Sequence, residues 1–535
     1  MEQYNKRITE ILENANHMKD ALLKPIVDES TGGIISDART RHERLAAVTE
    51  NSIFEMAGKQ GAMIQATAAN AVGAYCNQRG GNPSDEMLAS AYQSILNVLS
   101  LTNGNNAKKQ IGGLIFESGM SSTEGILMRD RLVALILPVM LQSITSSIVT
   151  HIPGQFNQSE IFKIKRIAAS TFGDFSAGDS LDFDYAGQYS NMDIRKLAGT
   201  GDGSDTGSSN EFDWDSNTEI YGGSGTSVWP LKKKSIRILH DRNVVAQDNG
   251  AGALFGSFVV GETTINVTGT VNYDDGVIHP VFSVAPALGI EIHVLFDVNI
   301  EKDPTLIPLV DHEMDSRVLY PHESAIAADV HLQALWGIKR EYNLNVENMA
   351  MTAMRNLLAA DKDRKRLSDM YFFAKDERSW IRTVPDSLYF QEHYETMRMT
   401  LSEISTVLMA RTGRSGLVGI VADKDSSVIF RNSKHFVAAP GYTQKPQPHY
   451  CGRLFGQYDL YEDPQGTSYE SLCFAKGTNH GESGYVAGDA IPAISFNHTM
   501  QRDLVYKNTL WELAYRDLNP FDGRDWFMKF KMTTS

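Results

Sequence analysis

The spacing of apolar side chains divides the chain into a helical first part and a mixed remainder. In "NPSDEMLASAYQSILNVLS" (82–100) apolar residues recur at helical intervals, with Asn82 as a candidate cap and Pro83 suited to the first helical position. The alanine-rich stretch before it ends at Gly80 and Gly81, which predicts a long helix or a pair of helices. We therefore expect the chain to be mainly helical up to about residue 150.

From residue 155 the apolar pattern changes to that of β-strands. In "SEIFKIKRIAASTF" Phe162 and Ile164 alternate with lysines, which predicts a strand. "TTINVTGTVNYDDGVIHPVFSV" (263–284) alternates on both sides of Asp275 and Gly276, which predicts a hairpin with a two-residue turn. We expect a small β-domain, inserted between larger elements, at 253–302.

Two long helices are predicted in the second half of the chain. The first, at 344–374, carries the polar stretch "AADKDRKR" in its middle and is expected to cross a surface without being buried all round. The second, at about 386–411, should stop at Gly413. Beyond it strands and short helices alternate to the C-terminus, so the predicted fold class is α+β.

The polar stretch at 174–227 has two interpretations. Gly, Ser, Asp and Asn dominate it, so we expect a flexible loop that buries too little apolar surface to order itself. A calcium loop of the EF-hand type starting at Asp213 fails, because Thr218 and Ser224 stand where glycine and glutamate are needed. A looser cage of oxygen ligands stays open as the alternative.

Composition and charge argue against three classes of protein: those that bind nucleic acid through its charge, secreted proteins and membrane-spanning proteins. The 535 residues carry a formal charge of -15, which argues against sequence-independent binding of nucleic acid, since that affinity comes from Lys and Arg. The N-terminus lacks the apolar core of a signal peptide, and the most apolar run, at 132–141, is about half the length needed to cross a bilayer. We expect neither secretion nor a membrane span.

No catalytic or metal-binding motif is recognised. Three cysteines (Cys76, Cys451 and Cys473) form no CxxC pair and are expected to be reduced thiols. A cluster of histidines and glutamates lacks the HExxH spacing and is expected to lie in loops; its members are His312, Glu313, His322 and Glu323. We therefore predict no catalytic residues, no cofactor and no bound metal.

The order of elements from about residue 130 to 535 resembles the major capsid protein of tailed bacteriophages, the Hong Kong ninety-seven-like fold. The likeness begins with "LVALILPVMLQSITSSIVTHIPGQFNQSEIFKIKRI", continues through "SGLVGIVADKDSSVIFRNSKHFVAA" and "CGRLFGQYDLYEDP", and ends with "WELAYRDLNPF". It rests on element order more than on a strict motif. The helix at 344–374 would be the spine helix of that fold.

The resemblance implies a division of the chain into seven parts. These are a helical N-terminal segment (1–130), an N-terminal arm (131–154), an extended β-loop (155–252), the inserted β-domain (253–302), a peripheral domain with the spine helix (303–394), an axial domain (395–500) and return strands of the peripheral domain (501–535).

The resemblance also implies a function. Copies would assemble as hexamers and pentamers into an icosahedral head that encloses double-stranded DNA without specific binding, and there would be no turnover. The protein would belong to the virion, after assembly in the host cytoplasm, and could meet portal, scaffold and decoration proteins and a maturation protease. The loop containing Asp213, Trp214 and Asp215 would lie over a neighbouring subunit, with Trp214 as its apolar anchor.

Two alternatives stay open. A tail or baseplate protein would also carry strands like those at 253–302, and an intracellular metal-dependent hydrolase would use the clustered His and Asp residues. The first would form helical tubes, and the second requires His and carboxylate groups that converge in a pocket.

Overall fold

A computed structural model describes most of the chain as two compact units. The described residues are 2–28, 34–35, 37–102, 136–138, 140–141, 143–154, 157–181, 187–203, 210–223, 227–342, 346–386, 389–498 and 505–534. The first unit combines Met1–Lys163 with Met314–Ser535, and the second is Ile164–Glu313.

Helices and strands occur in both units, and we number each kind along the chain. The helices are α1 (Glu2–Met18), α2 (Ala38–Thr49), α3 (Gly61–Arg79), α4 (Asp85–Thr102), α5 (Ser216–Tyr221), α6 (Leu332–Tyr342), α7 (Val346–Phe373), α8 (Phe390–Thr412) and α9 (Lys424–Arg431). The strands are β1 (Thr150–His151), β2 (Ser159–Ala168), β3 (Asp193–Thr200), β4 (Trp214–Asp215), β5 (Arg237–His240), β6 (Asn243–Asp248), β7 (Ala253–Val260), β8 (Thr263–Asn272), β9 (Val277–Phe282), β10 (Glu291–Asp297), β11 (Val310–Leu319), β12 (His322–His331), β13 (Glu377–Ile381), β14 (Leu417–Asp423), β15 (Phe436–Ala438), β16 (His449–Leu454), β17 (Tyr458–Asp463), β18 (Glu470–Ala475), β19 (Tyr485–His498), β20 (Val505–Leu518) and β21 (Phe527–Thr533). This mixture is an α+β fold.

The N-terminal segment of the first unit is a packed group of helices with its own apolar core, to which α1, α3 and α4 all contribute. The predicted helix at 82–100 is confirmed, but it begins at Asp85. Ser84 Oγ accepts a hydrogen bond from the Met87 amide at 3.4 Å, so Ser84 takes the capping place that we predicted for Asn82. As predicted, α3 stops before Gly80, which has a left-handed φ of +68°. Residues 103–135 of the predicted segment and arm lie outside the described residues.

A four-stranded sheet in the first unit has the order β1-β19-β20-β12. Strands β19 and β20 are antiparallel and 14 residues long each, and β1 joins β19 in parallel. Helix α7 packs on this sheet through Met354 and Leu358, which share a small apolar cluster with Leu510 of β20. The predicted long helix at 344–374 is therefore confirmed, with 28 residues.

A second sheet of the first unit has seven strands in the order β13-β21-β18-β14-β17-β16-β15. Helix α8 covers it with apolar residues at successive turns (Met397, Leu401, Ile404 and Leu408) and ends at Gly413, as predicted. The sheets revise the boundaries that the resemblance implied. Strand β19 belongs with β20 and not with the axial strands, whereas β13 and β21 pair in the seven-stranded sheet.

The second unit is built on one eight-stranded sheet of order β3-β10-β5-β6-β7-β8-β9-β4. Strands before and after residue 252 pair directly, since Gln247 of β6 is opposite Phe255 of β7. The predicted boundary between an extended loop and an inserted domain is therefore wrong, and 164–313 form one folded unit. The predicted hairpin is present, but the connection between β8 and β9 is Tyr273–Gly276, which is four residues and not two. Strands β2 and β11, which connect the units along the chain, pair as a two-stranded sheet.

Candidate functional site

The three predicted contact residues lie in and around the core of the second unit. Trp214 is 1% exposed, and its ring lies 4.4 Å from that of Phe296 between centroids. Asp215 caps α5, because its carboxylate accepts hydrogen bonds from the amide of Asn217 and the hydroxyl of Thr218. Asp213 is exposed and contacts Nδ1 of His279.

The predicted role of Trp214 as an anchor on a neighbouring subunit is wrong, because its side chain is already enclosed by its own unit. The expectation that 174–227 buries too little surface to order itself also fails for its described part. Phe175, Phe212 and Trp214 are all buried there, and β3 and β4 are members of the eight-stranded sheet. A few widely spaced aromatic residues supply the burial that composition alone did not indicate.

Helix α4 holds the N-terminal segment to the four-stranded sheet through a buried polar face. Ser94 Oγ donates to the carbonyl of Asp489 at 3.0 Å, and Asn97 Nδ2 donates to the carbonyls of Ala490 at 2.9 Å and Gly154 at 3.1 Å. The carbonyls of Asp489 and Ala490 are available because the register between β19 and β20 shifts at 489–491. The segment and the sheet are therefore joined by directional hydrogen bonds.

Two further contacts hold the same segment. Glu86 at the start of α4 pairs with His480 Nδ1 at 2.7 Å, and although burial alone would raise the pKa of Glu86, the bond and charge of His480 lower it overall. At the end of α3 the Arg79 guanidinium lies 4.1 Å from the ring centroid of Tyr450 and donates to Tyr461 Oη at 2.5 Å.

A buried group of charges lies where α7 crosses the long strands. Lys362 Nζ is 3.1 Å from Asp489 Oδ1 and 2.7 Å from Glu512 Oε2, and the three side chains are 14%, 11% and 1% exposed. Burial alone would lower the pKa of Lys362, but the two carboxylates raise it overall. The polar middle of α7 is therefore exposed on one side only: Arg364 and Lys365 face solvent, whereas Lys362 faces the sheet.

The same face of α7 continues to the segment before β1. Asp363 accepts hydrogen bonds from Ser143 and from Thr145 Oγ1, and Arg366 Nη1 donates to Thr145 Oγ1 at 3.0 Å. His151 Nε2 donates a hydrogen bond to the carbonyl of Ser146 at 3.0 Å, and the pKa of His151 is lowered to about 4, chiefly by burial and then by the charges of Lys476 and Arg366. One face of the predicted polar helix is therefore buried against the segment before β1, and we call this buried region the junction beneath α7.

The chemistry open to this junction is limited by space. The cavity between α7 and the segment before β1 has a volume of about 30 Å³, room for about one or two water molecules, whereas ligand pockets measure about 300–1,000 Å³. Lys362 is paired with Asp489 and Glu512, and Asp363 and Arg366 both bond to the hydroxyl of Thr145. The arrangement suits a structural role, in which α7, the long strands and the N-terminal segment are held in one geometry.

The other candidates from the sequence fall in different places. The histidines and glutamates expected in loops lie instead on strands β11 and β12, and His322 Nε2 is 3.2 Å from Asp517 Oδ1. Sequence reasoning missed a buried trio of His449, Cys451 and Glu462. The only signal in the sequence was the closeness of a histidine and a cysteine in "PHYCGRL".

Comparison with known proteins gives one match to a family and one to a curated protein. Residues 1–143 match a family described as a domain of unknown function (DUF8615). Protein IncB of Escherichia coli is 25% identical over 176 residues, which are 32% of this chain and 85% of that protein. The family covers less than half of the chain, and neither match assigns the whole chain to a family.

Solved structures that resemble this chain include phage capsid structures. The capsid of the jumbo bacteriophage PhiKZ is 10% identical, with a TM-score of 0.33, and the match covers 72% of this chain and 91% of that one. A structure from Mycobacterium phage Che8 is 15% identical, with a TM-score of 0.30, covering 44% of this chain and 79% of that one. TM-scores of this size establish neither the fold nor the function of this chain. Among the described helices, none combines the length and the apolar character that crossing a membrane requires.

Proposed function

We propose that this protein is the shell-forming subunit of a tailed-bacteriophage head, with the Hong Kong ninety-seven-like fold. The observation that carries the proposal is the order and arrangement of α7, β19 and β20. A helix of 28 residues lies on a four-stranded sheet whose two central strands, β19 and β20, are antiparallel and 14 residues long each. Helix α8 and six of the seven strands of a separate sheet lie in the chain between α7 and β19, and the seventh strand, β21, follows β20. This is the order of spine helix, axial domain and returning strand that the sequence resemblance implies.

The exposed side of the spine helix supports self-association. Met349 and Leu357 are 55% and 56% exposed on α7, and Phe372 near its end is 80% exposed. The other side of α7 is already packed on the sheet, so these large apolar side chains remain exposed to solvent in the single chain. Such side chains are candidates for contacts between copies. A closed shell repeats such contacts many times, so each one can be modest.

The finer parts of the proposal concern the assembly. Copies form hexamers and pentamers of an icosahedral virion shell that encloses double-stranded DNA, and the charge of -15 suits confinement of DNA without binding. The subunit performs no turnover. Portal, scaffold and decoration proteins and a maturation protease are proposed partners during assembly in the host cytoplasm.

The N-terminal segment is proposed to be an integral structural part of the folded subunit. The hydrogen bonds from Ser94 and Asn97 reach β19 of the four-stranded sheet, and the bond from Arg79 reaches Tyr461 of the seven-stranded sheet. They support this role because they are directional. Of the three predicted contact residues, Asp213 keeps an exposed carboxylate and stays a proposed contact with a neighbouring copy. Asp215 stays a proposed contact as well, although its carboxylate already caps α5.

Sedimentation velocity and negative-stain electron microscopy of the purified full chain test this function. We expect particles far heavier than the 59.3 kDa chain, closed and uniform in diameter. Helical tubes would instead support the tail or baseplate alternative. A chain that stays monomeric over a wide range of concentration and salt would overturn the proposal.

A further inference from the structure

A cluster of three potential metal ligands lies in the seven-stranded sheet, away from the junction beneath α7. His449 of β16 is directly opposite Glu462 of β17 in the ladder, and Cys451 lies two residues after His449, where the register of the two strands shifts between Tyr450 and Gly452. The three residues are 6%, 0% and 0% exposed, in the order His449, Cys451 and Glu462. One nitrogen, one sulfur and one oxygen atom thus meet in the interior of the protein.

The distances allow one ion to reach all three residues. Each residue offers a ligand atom that lies within 4.8 Å of the other two, and Cys451 Sγ is 3.9 Å from Glu462 Oε2. Ligands of a tetrahedral zinc ion lie about 2.0–2.3 Å from the metal, so donor atoms must stand roughly 3.5 Å apart. Small side-chain rotations are enough to close this difference.

The histidine is already oriented as a ligand. His449 Nδ1 lies 3.0 Å from the carbonyl of Gln447, which sets the tautomer with the proton on Nδ1 and leaves the lone pair on Nε2. Nε2 is buried and has no hydrogen-bond partner among the described residues. A buried polar atom without a partner is costly, and a backbone carbonyl on the other ring nitrogen is the usual support of a metal-bound histidine.

Two hydrogen-bond donors orient the carboxylate of Glu462. Ser427 Oγ donates to Glu462 Oε2 at 2.6 Å, and Gln444 Nε2 donates to Oε1 at 3.1 Å. Arg431 Nη2 lies 3.4 Å from Oε2 and is the one cation near the trio in the described structure. Its other amino group donates to Tyr442 Oη at 2.8 Å, so its charge is shared with a second partner.

We propose that His449 Nε2, Cys451 Sγ and a carboxylate oxygen of Glu462 bind one Zn²⁺ ion, with a water molecule as the fourth ligand. Nitrogen, sulfur and oxygen ligands from three side chains suit zinc, whereas magnesium and calcium prefer oxygen alone. Binding converts the Cys451 thiol to a thiolate and releases its proton to solvent. The thiolate and the carboxylate then balance the charge of the ion.

The ion would act as a cross-link within the sheet. It joins β16 to β17 directly, and through Ser427 and Glu462 it fixes the position of α9. This inference concerns the seven-stranded sheet alone and does not depend on the proposed shell function.

The test uses the full chain and a matched pair of cysteine variants. Cys451→Ala removes a ligand, whereas Cys473→Ala removes the other fully buried thiol, which lies on β18 outside the trio. Each protein is incubated with ZnSO₄, passed over a desalting column and analysed for metal by mass spectrometry. We expect about one zinc ion per chain for the unchanged protein and Cys473→Ala, and at least a tenfold lower content for Cys451→Ala.

Cobalt gives a readout that needs no variant. Co²⁺ added to the unchanged protein should produce the absorption of a tetrahedral thiolate complex, including a sulfur-to-cobalt charge-transfer band, and Zn²⁺ should abolish it. Absence of this band, or equal zinc contents in the two cysteine variants, would overturn the site. If Cys451→Ala fails to fold, the cobalt spectrum decides alone.

Discussion

Lys362 provides the most direct test of the buried junction beneath α7. Substitution by methionine keeps the length of the side chain but removes the charge, so Asp489 and Glu512 lose their common partner in the protein interior. Removing one member of a buried ion pair costs about 3–5 kcal/mol, because the remaining charge is neither hydrated nor compensated. We expect Lys362→Met to lower the local unfolding free energy by this amount.

Lys365→Met is the matched control on the same helix. Lys365 lies three residues further along α7, its side chain is 58% exposed, and it pairs with Asp369. Exposed pairs contribute about 0–1 kcal/mol, so this variant should be nearly neutral. Both variants remove one positive charge from α7, but Lys362 is buried between two carboxylates and Lys365 is exposed beside one.

Hydrogen exchange followed by mass spectrometry measures the effect where it arises. Peptides from α7 and β19 should lose protection by on the order of 10²- to 10⁴-fold in Lys362→Met, which corresponds to the predicted energy of about 3–5 kcal/mol. The same peptides in Lys365→Met should change by less than about tenfold. Equal protection in the two variants at neutral pH would refute the view that the buried charges hold α7 to the strands.

The pH dependence gives this prediction a sign. Burial alone would raise the pKa of Asp489, but Lys362 and Arg366 lower it overall, so in the unchanged protein its stabilising effect is present above the unfolded pKa and is lost as the pH falls through the folded value. Without Lys362 the carboxylate takes up a proton more easily. The difference between Lys362→Met and the unchanged protein should therefore shrink below about pH 4.

Two further predictions concern other buried side chains. Trp214→Ala should lower the free energy of unfolding of the second unit by about 3–5 kcal/mol, measured by hydrogen exchange in β9 and β10. The control Leu288→Ala, at an 80% exposed position, should change this free energy by less than about 0.5 kcal/mol. Equal effects of the two variants would contradict the burial of Trp214. His151 has a folded pKa of about 4 against an ordinary 6.5, so the unfolded chain binds more protons between these values and stability should fall by about 3 kcal/mol as the pH drops from 6.5 to 4. The melting temperature of His151→Gln should depend less on pH in this window, and an unchanged slope would contradict the assignment.

Local periodicity predicted the long helices of the fold, but it missed β3, β4 and α5 in the stretch 174–227. The spacing of Met397, Leu401, Ile404 and Leu408 was enough to predict α8, and Gly413 marked its end. These signals are local, because a helix needs one apolar face and a stop. The partners of each strand depend on contacts far apart in sequence, which is why the joining of β13 to β21, or of β6 to β7 across residue 252, could not be predicted.

The burial of individual polar residues could not be predicted from the sequence either. Lys362, Arg364 and Lys365 look alike in "AADKDRKR", and only the position of α7 on the sheet separates the buried lysine from the exposed residues. His449, Cys451 and Glu462 likewise come together through the register of two strands. Trp214 was predicted to be an anchor on a neighbouring subunit, but its ring packs against Phe296 of the same unit.

Electron cryomicroscopy of particles formed by the purified full chain tests the central claim most directly. The proposal predicts closed icosahedral shells in which copies of the first unit surround fivefold and local sixfold axes, with the exposed side of α7 at contacts between copies. Helical tubes, or a chain that forms no particles under any condition tried, would contradict it.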